Sequence, residues 1–230
     1  MILCVGLGNT HTIFAYGQKD SYKHFSIRTS ELDENFHINE NITGGIISSV
    51  VPEKTQIIKK IIPAIRQVDI SKSDIDFTKY KSKIGEDRAV CCIAALAKYK
   101  PPFVVIDFGT AITVNVIDKN NCFIGGAILA GVQTGIIALN QYTAQLPFVS
   151  CDLDVNVICD NTLSSILSGA VMGNVFAVEG YIRYIESMLK EKPNIIVTGG
   201  DAEIIVSHCN FEFTYEPLLL IEGLFELYSM

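Results

Sequence analysis

The chain has 230 residues, 49% of them apolar and 19% charged, which is enough apolar surface for a large core and too much for global disorder. Its 18 basic and 25 acidic residues give a net charge of −7, and no Lys/Arg cluster is interleaved with aromatics, so no nucleic-acid partner is expected. The 7 cysteines are odd in number and include no Cys-x-x-Cys, which excludes a regular disulfide framework or zinc site and predicts reduced thiols in the cytoplasm.

The sequence opens without a basic leader on an apolar run, Ile2 to Val5, which predicts a strand and no signal peptide. That run leads into Val5-Gly6-Leu7-Gly8-Asn9-Thr10-His11-Thr12-Ile13, a tight polar turn between two strand-like segments. The second segment continues through Tyr16, turns between Gly17 and Asp20, and returns from Tyr22 to Ile27. Gly45 to Val51 reads as a buried strand stopped by Pro52. Ile57, Ile58, Ile61 and Ile65 recur at helical spacing, which predicts a helix from Glu53 to about Arg66. Asp87 to Lys98 predicts another, and Pro101-Pro102 breaks the chain after it.

The second half begins by repeating the first. Ile106-Asp107-Phe108-Gly109-Thr110-Ala111-Ile112-Thr113-Val114 matches the earlier turn, with Gly109 against Gly8 and Thr113 against Thr12. The segment runs on to Ile117, turns between Asp118 and Asn121, and returns through Cys122 to Ile124. Two such hairpins predict two homologous lobes, residues 1–100 and 101–230. Cys122 to Leu139 is apolar, but its 4 glycines with Gln133 and Thr134 suit buried sheet and turn rather than a membrane span. Asn161 to about Lys190 predicts one long helix or two. Ile195 to Val197 predicts a strand ending at Thr198-Gly199-Gly200, and Pro217 to Tyr228 a closing helix.

Three features suit chemistry. A glycine-rich turn with small hydroxyl residues lets exposed N–H groups approach a phosphate, although an ordinary hairpin has the same composition. Two matching turns facing each other would hold the phosphates from both sides, and Asp107 could hold a hydrated cation beside them. In Gly85-Glu86-Asp87-Arg88, the carboxylate could accept a proton from an attacking hydroxyl and the guanidinium could bind a substrate carboxylate. The same acidic pair also suits a helix N-terminus on electrostatic grounds alone. Thr198-Gly199-Gly200 would let a nucleotide base or ribose approach the backbone, or would simply turn the chain from strand to helix. The four histidines, His11 in the first turn apart, suggest surface or packing positions.

The ordered series Gly8-Asn9-Thr10, Gly85-x-Asp87-Arg88, Asp107-Phe108-Gly109-Thr110-Ala111, Gly125-Gly126, Asn161-Thr162, Ser168-Gly169, Thr198-Gly199-Gly200 and Leu220-Ile221-Glu222-Gly223-Leu224 resembles the type III pantothenate kinases over nearly the whole chain. The resemblance implies an α/β fold of two ribonuclease-H-like lobes, within the actin-like ATPase (acetate and sugar kinase/actin) superfamily, with ATP between them. It implies phosphorylation of pantothenate to 4′-phosphopantothenate, the first step of coenzyme A synthesis. It also implies a homodimer, Mg²⁺ and a monovalent cation such as K⁺ or NH4⁺. Carried over by position, Asp87 would be the general base. Gly85, Glu86, Asp87, Arg88 and, from the partner subunit, Thr162 would contact pantothenate. Gly6, Gly8, Asn9, Thr10, His11, Thr12 and Thr110 would bind ATP, and Asp107 the monovalent cation. Tyr80 would correspond to a pantothenate-contacting tyrosine, at a short spacing to Gly85.

One departure bears on the chemistry. The family carries an aspartate where this chain has Gly6, and the internal repeat exposes the same gap, because Gly6 falls opposite Asp107. Ala130 before Gly131 and Glu179 before Gly180 are smaller departures. Loss of a metal-organising carboxylate leaves two readings: an enzyme that relies on Asp107 and ATP-borne Mg²⁺, or an impaired paralogue that binds nucleotide or pantothenate as an accessory protein. A sugar or acetate kinase of the same superfamily is a third, which the Gly-x-Asp-Arg motif disfavours.

Overall fold

In the computed structural model, which describes residues 1–38, 40–151 and 154–230, the first apolar run becomes β1 (Ile2–Leu7). It pairs antiparallel with β2 (His11–Gln18), and β2 pairs antiparallel with β3 (Ser21–Arg28). On its other side β1 takes β4 (Gly44–Ser49) in parallel, and β4 takes β5 (Ile65–Gln67), giving the order β3-β2-β1-β4-β5. The positions follow from composition. Leu3, Cys4, Val5 and Leu7 are all buried, as suits a central strand. β3 keeps Lys23, His24 and Arg28 exposed on the edge.

Helix α1 (Pro52–Ile61) starts on a proline and is shorter than its isoleucine spacing predicts. Pro63 cannot donate to a helical ladder and disfavours helix at Ile62, so the chain leaves the helix there. Ile65 enters the core from β5 instead. Helix α2 (Glu86–Lys98) follows, and α6 (Leu219–Ser229), last in the chain, packs against it so closely that a Cβ on Gly223 would lie 2.4 Å from the Val90 carbonyl oxygen. These elements form one compact unit, Met1–Lys100 with Asn121–Ile124 and Leu218–Met230.

The other unit, Pro101–Asn120 with Gly125–Pro217, repeats the plan. β6 (Phe103–Phe108) pairs antiparallel with β7 (Ala111–Ile117) and parallel with β9 (Asn194–Thr198). With β8 (Phe123–Ala130) and β10 (Thr214–Tyr215) the order is β10-β9-β6-β7-β8. Read from the hairpin side, both sheets follow one strand order, so the duplication extends from the turns to the whole sheet. The turns differ in length. Leu7 stands opposite Thr12, whereas Phe108 stands opposite Ile112 and Asp107 opposite Thr113, so the first turn is one residue longer and Thr12 and Thr113 are not equivalent.

Cys122 to Leu139 resolves into β8 and then α3 (Val132–Tyr142), a helix that the glycines of the segment conceal in sequence. The stretch Asn161 to Lys190 forms one 28-residue helix, α4 (Thr162–Leu189), capped by Asn161 Oδ1, which accepts from the Ser164 N–H at 3.0 Å. By length and composition α4 could cross a membrane. Ile166, Leu167, Val171, Val175, Val178, Ile182 and Ile185 are nevertheless buried in the second unit's core. Short α5 (Ala202–Val206) follows β9.

Candidate active site

The β1–β2 turn is closed by the Gly8 N–H donating to the His11 carbonyl at 3.0 Å. Thr29, just after β3, braces it from the side. Its N–H donates to the Thr10 carbonyl at 2.9 Å, its hydroxyl donates to the Gly8 carbonyl at 2.8 Å, and that hydroxyl also meets the Thr12 hydroxyl at 2.9 Å. Thr12 is buried and structural, while Asn9, Thr10 and His11 are exposed at the tip. Gly6 is buried, and a Cβ there would lie 2.6 Å from Leu220 Cδ2, so a leucine of α6 occupies the space a side chain at position 6 would need.

The second catalytic candidate sits at the start of α2. Asp87 Oδ1 accepts from the Arg88 N–H at 2.8 Å, where a carboxylate is favoured by the unpaired amides of the first turn. A Cβ on Gly85 would fall 2.7 Å from that oxygen. Gly85 has ordinary extended backbone, so it supplies room for the carboxylate rather than an unusual conformation. Arg88 is 8% exposed. Its Nη1 donates to the Tyr80 hydroxyl at 3.3 Å, and its guanidinium carbon lies 5.6 Å from the ring centroids of both Tyr80 and Phe123. The hydrogen bond from Arg88 holds the Tyr80 phenol below its ordinary pKa, with Ser82 assisting.

Glu86 turns away from Asp87. Its Oε2 accepts from the Ser49 N–H at 3.2 Å and from Gln67 Nε2 at 2.6 Å. The next residue after Ser49, Val50, donates its N–H to the Leu7 carbonyl at 3.1 Å. The end of β4 therefore joins the first turn to the start of α2, and brings Gly6–Thr12 and Gly85–Arg88 into one network.

The β6–β7 turn is built on different supports. The Gly109 N–H reaches the Ala111 carbonyl at 3.3 Å, and the Thr110 carbonyl accepts from the Gly131 N–H at 3.1 Å and the Thr134 hydroxyl at 2.6 Å. The start of α3 thus clamps this turn, a function that sequence reading of the segment missed. Asp107, next to last in β6, is half-buried, with Thr113 opposite on β7 and Thr198 opposite on β9, both buried. The Thr113 hydroxyl accepts from Asn115 Nδ2 at 2.9 Å inside the sheet. Gly199 has φ +105°, and a Cβ there would lie 2.5 Å from Asp107 Oδ1 and 2.3 Å from the Phe108 carbonyl oxygen. This glycine makes room for the Asp107 carboxylate, a contact no local pattern could have revealed. Thr162, the first residue of α4, is exposed, and none of these contacts includes it.

Asp107 and the threonines opposite it are oxygen-bearing side chains, the kind a hard cation takes. Among the described residues no three His, Cys, Asp or Glu side chains are grouped as a metal cage. Among the described residues no disulfide joins any of the seven cysteines, and burial pushes the Cys92 thiol up to about 12.

A family model for type III pantothenate kinase matches residues 2–184. The type III pantothenate kinase of a Sulfurihydrogenibium species is 33% identical over 249 residues, covering 99% of each chain. Among solved structures, a protein described as a Baf family transcriptional activator from Campylobacter jejuni superposes with a TM-score of 0.69 at 19% identity, covering 99% of this chain and 97% of that one. One described as an N-acetylmannosamine kinase from Listeria monocytogenes gives 0.52 at 12% identity, covering 99% and 98%. These structures establish the actin-like, sugar-kinase fold and nothing of substrate.

Proposed function

The chain belongs to the type III pantothenate kinase family, and from that membership we propose that it transfers the γ-phosphoryl group of ATP to the hydroxyl of pantothenate, with Asp87 as general base. The observation that carries this reading is the start of α2. Asp87 Oδ1 is engaged by the Arg88 N–H, while Oδ2 has no hydrogen-bond partner among the described residues and stands ready to accept the substrate proton. Arg88, fixed between Tyr80 and Phe123, would orient the pantothenate carboxylate. The exposed residues Asn9, Thr10 and His11 at the tip of the first turn, and Thr110 on the second, suit ATP phosphates. Asp107, with Thr113 and Thr198 opposite, would hold the monovalent cation, and Mg²⁺, carried mainly on the nucleotide, would neutralise phosphate charge.

Helix α4 supports a homodimer. Gly169, Gly173 and Gly180 each cost about 1 kcal/mol of helix propensity. A Cβ on any of them would meet nothing in this chain. On the same helix Phe176 is 50% and Tyr184 71% exposed. A second copy of the helix could approach closely there and cover both rings, as a two-fold interface requires. Thr162, at the start of this helix, would then reach the partner's substrate. Light scattering tests this: the protein should run as a dimer and Phe176→Glu as a monomer, and a monomeric parent would contradict it. Seven cysteines with no disulfide framework suit a cytoplasmic enzyme.

Gly6 and Leu220 favour a second reading, an impaired paralogue that binds nucleotide or pantothenate, because a leucine now stands where the repeat would place a carboxylate. Pantothenate-dependent ADP release with ATP, Mg²⁺ and K⁺ separates the two. The kinase reading expects turnover, and Asp87→Asn should lower kcat by about 10²–10⁴-fold. Turnover that survives Asp87→Asn unchanged would remove the proposed base, and a silent parent with intact nucleotide binding would favour the paralogue.

A further inference from the structure

We propose that Glu86 is a positioning residue that sets the place of the general base relative to the phosphate turn, and that it does so through the end of β4. The proposal rests on the kinase reading of Asp87. Glu86 is the first residue of α2 and is half-buried. One oxygen, Oε2, takes both of its hydrogen bonds, from the backbone of Ser49 at the last position of β4 and from Gln67 at the last position of β5. Charge-assisted bonds to a shared carboxylate oxygen are stronger than neutral ones and fix direction as well as distance. Immediately beyond Ser49, the Val50 N–H holds the Leu7 carbonyl, the last residue before the phosphate turn.

A continuous path therefore runs from Asp87, through the side chain of its neighbour Glu86, to Ser49, Val50 and Leu7. The start of α2 packs against β4, and the Glu86 bonds give that contact its direction. Gly85 contributes no side chain, and Asp87 bonds only to its own helix among the described residues. Arg88 is held separately by Tyr80 and Phe123, so it would keep its substrate contact if the Glu86 link were cut. Losing that link should mainly misplace the base. Positioning errors near 1 Å lower a chemical step by about a hundredfold while leaving ground-state binding largely alone.

The test is steady-state kinetics on Glu86→Ala, Glu86→Gln, Gln67→Ala and Asp87→Asn. Glu86→Ala should lower kcat by about ten- to a hundredfold with the KM for ATP and for pantothenate each within about threefold of the parent. Glu86→Gln, whose amide oxygen can still accept both donors, should recover most of that kcat. Gln67→Ala should give a smaller fall, and adding it to Glu86→Ala should cost nothing more, since the two act through one bond. If Glu86→Gln is as slow as Glu86→Ala, accepting these two hydrogen bonds does not restore the rate and the positioning role is overturned. The role is also overturned if Glu86→Ala keeps the parent kcat while Asp87→Asn is inactive, an outcome that leaves the kinase reading standing. Active Asp87→Asn would remove the base and the inference with it. Should Glu86→Ala fail to fold, Gln67→Ala and Glu86→Gln carry the same test, and parent-like kcat in Gln67→Ala then overturns the proposal.

Discussion

The two hairpin turns sit at the same place in two sheets of the same strand order, yet their steric arrangement is opposite. In the first, the strand carries Gly6 and a bulky side chain, Leu220, fills the space beside it. In the second, the strand carries Asp107 and the space beside it is kept open by Gly199. Side-chain volume has been exchanged between strand and neighbour, while the backbone of each turn keeps its own braces, Thr29 on one side and Gly131 with Thr134 on the other. A duplicated fold can thus keep both phosphate-type turns and leave the carboxylate on only one of them. The first unit also contains α2, whose first turn carries Glu86 and Asp87.

Filling the open space is the harshest way to break this comparison. Gly199→Ala forces an L side chain at φ +105° and presses a methyl group against Asp107 and the Phe108 carbonyl. It should cost about 2–5 kcal/mol, read as a lower urea midpoint, with a fall in kcat as Asp107 is displaced. An unchanged midpoint would mean that the Asp107 pocket has slack. Restoring a carboxylate to the first turn should do less harm but no good. Gly6→Asp places a charged group in a buried site against Leu220, and a loss of about 1–3 kcal/mol with no gain in kcat is expected. The double variant Gly6→Asp, Leu220→Ala should recover part of that loss, and failure to recover any would show that the two positions are not coupled. Leu220→Ala alone is the mildest change, about 1–2 kcal/mol for a half-buried leucine, with kcat close to the parent.

Much of this was legible in the sequence because it depends on local patterns. The β1–β2 and β6–β7 hairpins announce themselves by polar turns between apolar runs, and the opposition of Gly6 and Asp107 follows from aligning them. Helix α2 and its acidic start were equally plain. Local patterns failed where an element was short or disguised. β5 has three residues and β10 two, too few for any periodicity. Helix α3 begins after Gly131 without a side-chain cap and contains Gly135, so it read as turn. The equivalence of Thr12 with Thr113 failed because turn lengths differ, which only strand register reveals. The contacts that define the site, Leu220 beside Gly6, Gly199 beside Asp107 and Glu86 with Ser49 and Gln67, join residues far apart in sequence and carry no local signature.

On the kinase reading, one carboxylate-bearing turn, in the second unit, suffices for phosphoryl transfer. The most direct measurement is the rate of 4′-phosphopantothenate formation by the parent protein and Asp107→Asn, followed by mass spectrometry with ATP, Mg²⁺ and K⁺. The parent should turn over steadily and Asp107→Asn should fall about 10²–10³-fold, as for loss of a principal electrostatic group. A parent that forms no product, or an Asp107→Asn variant as fast as the parent, would contradict it.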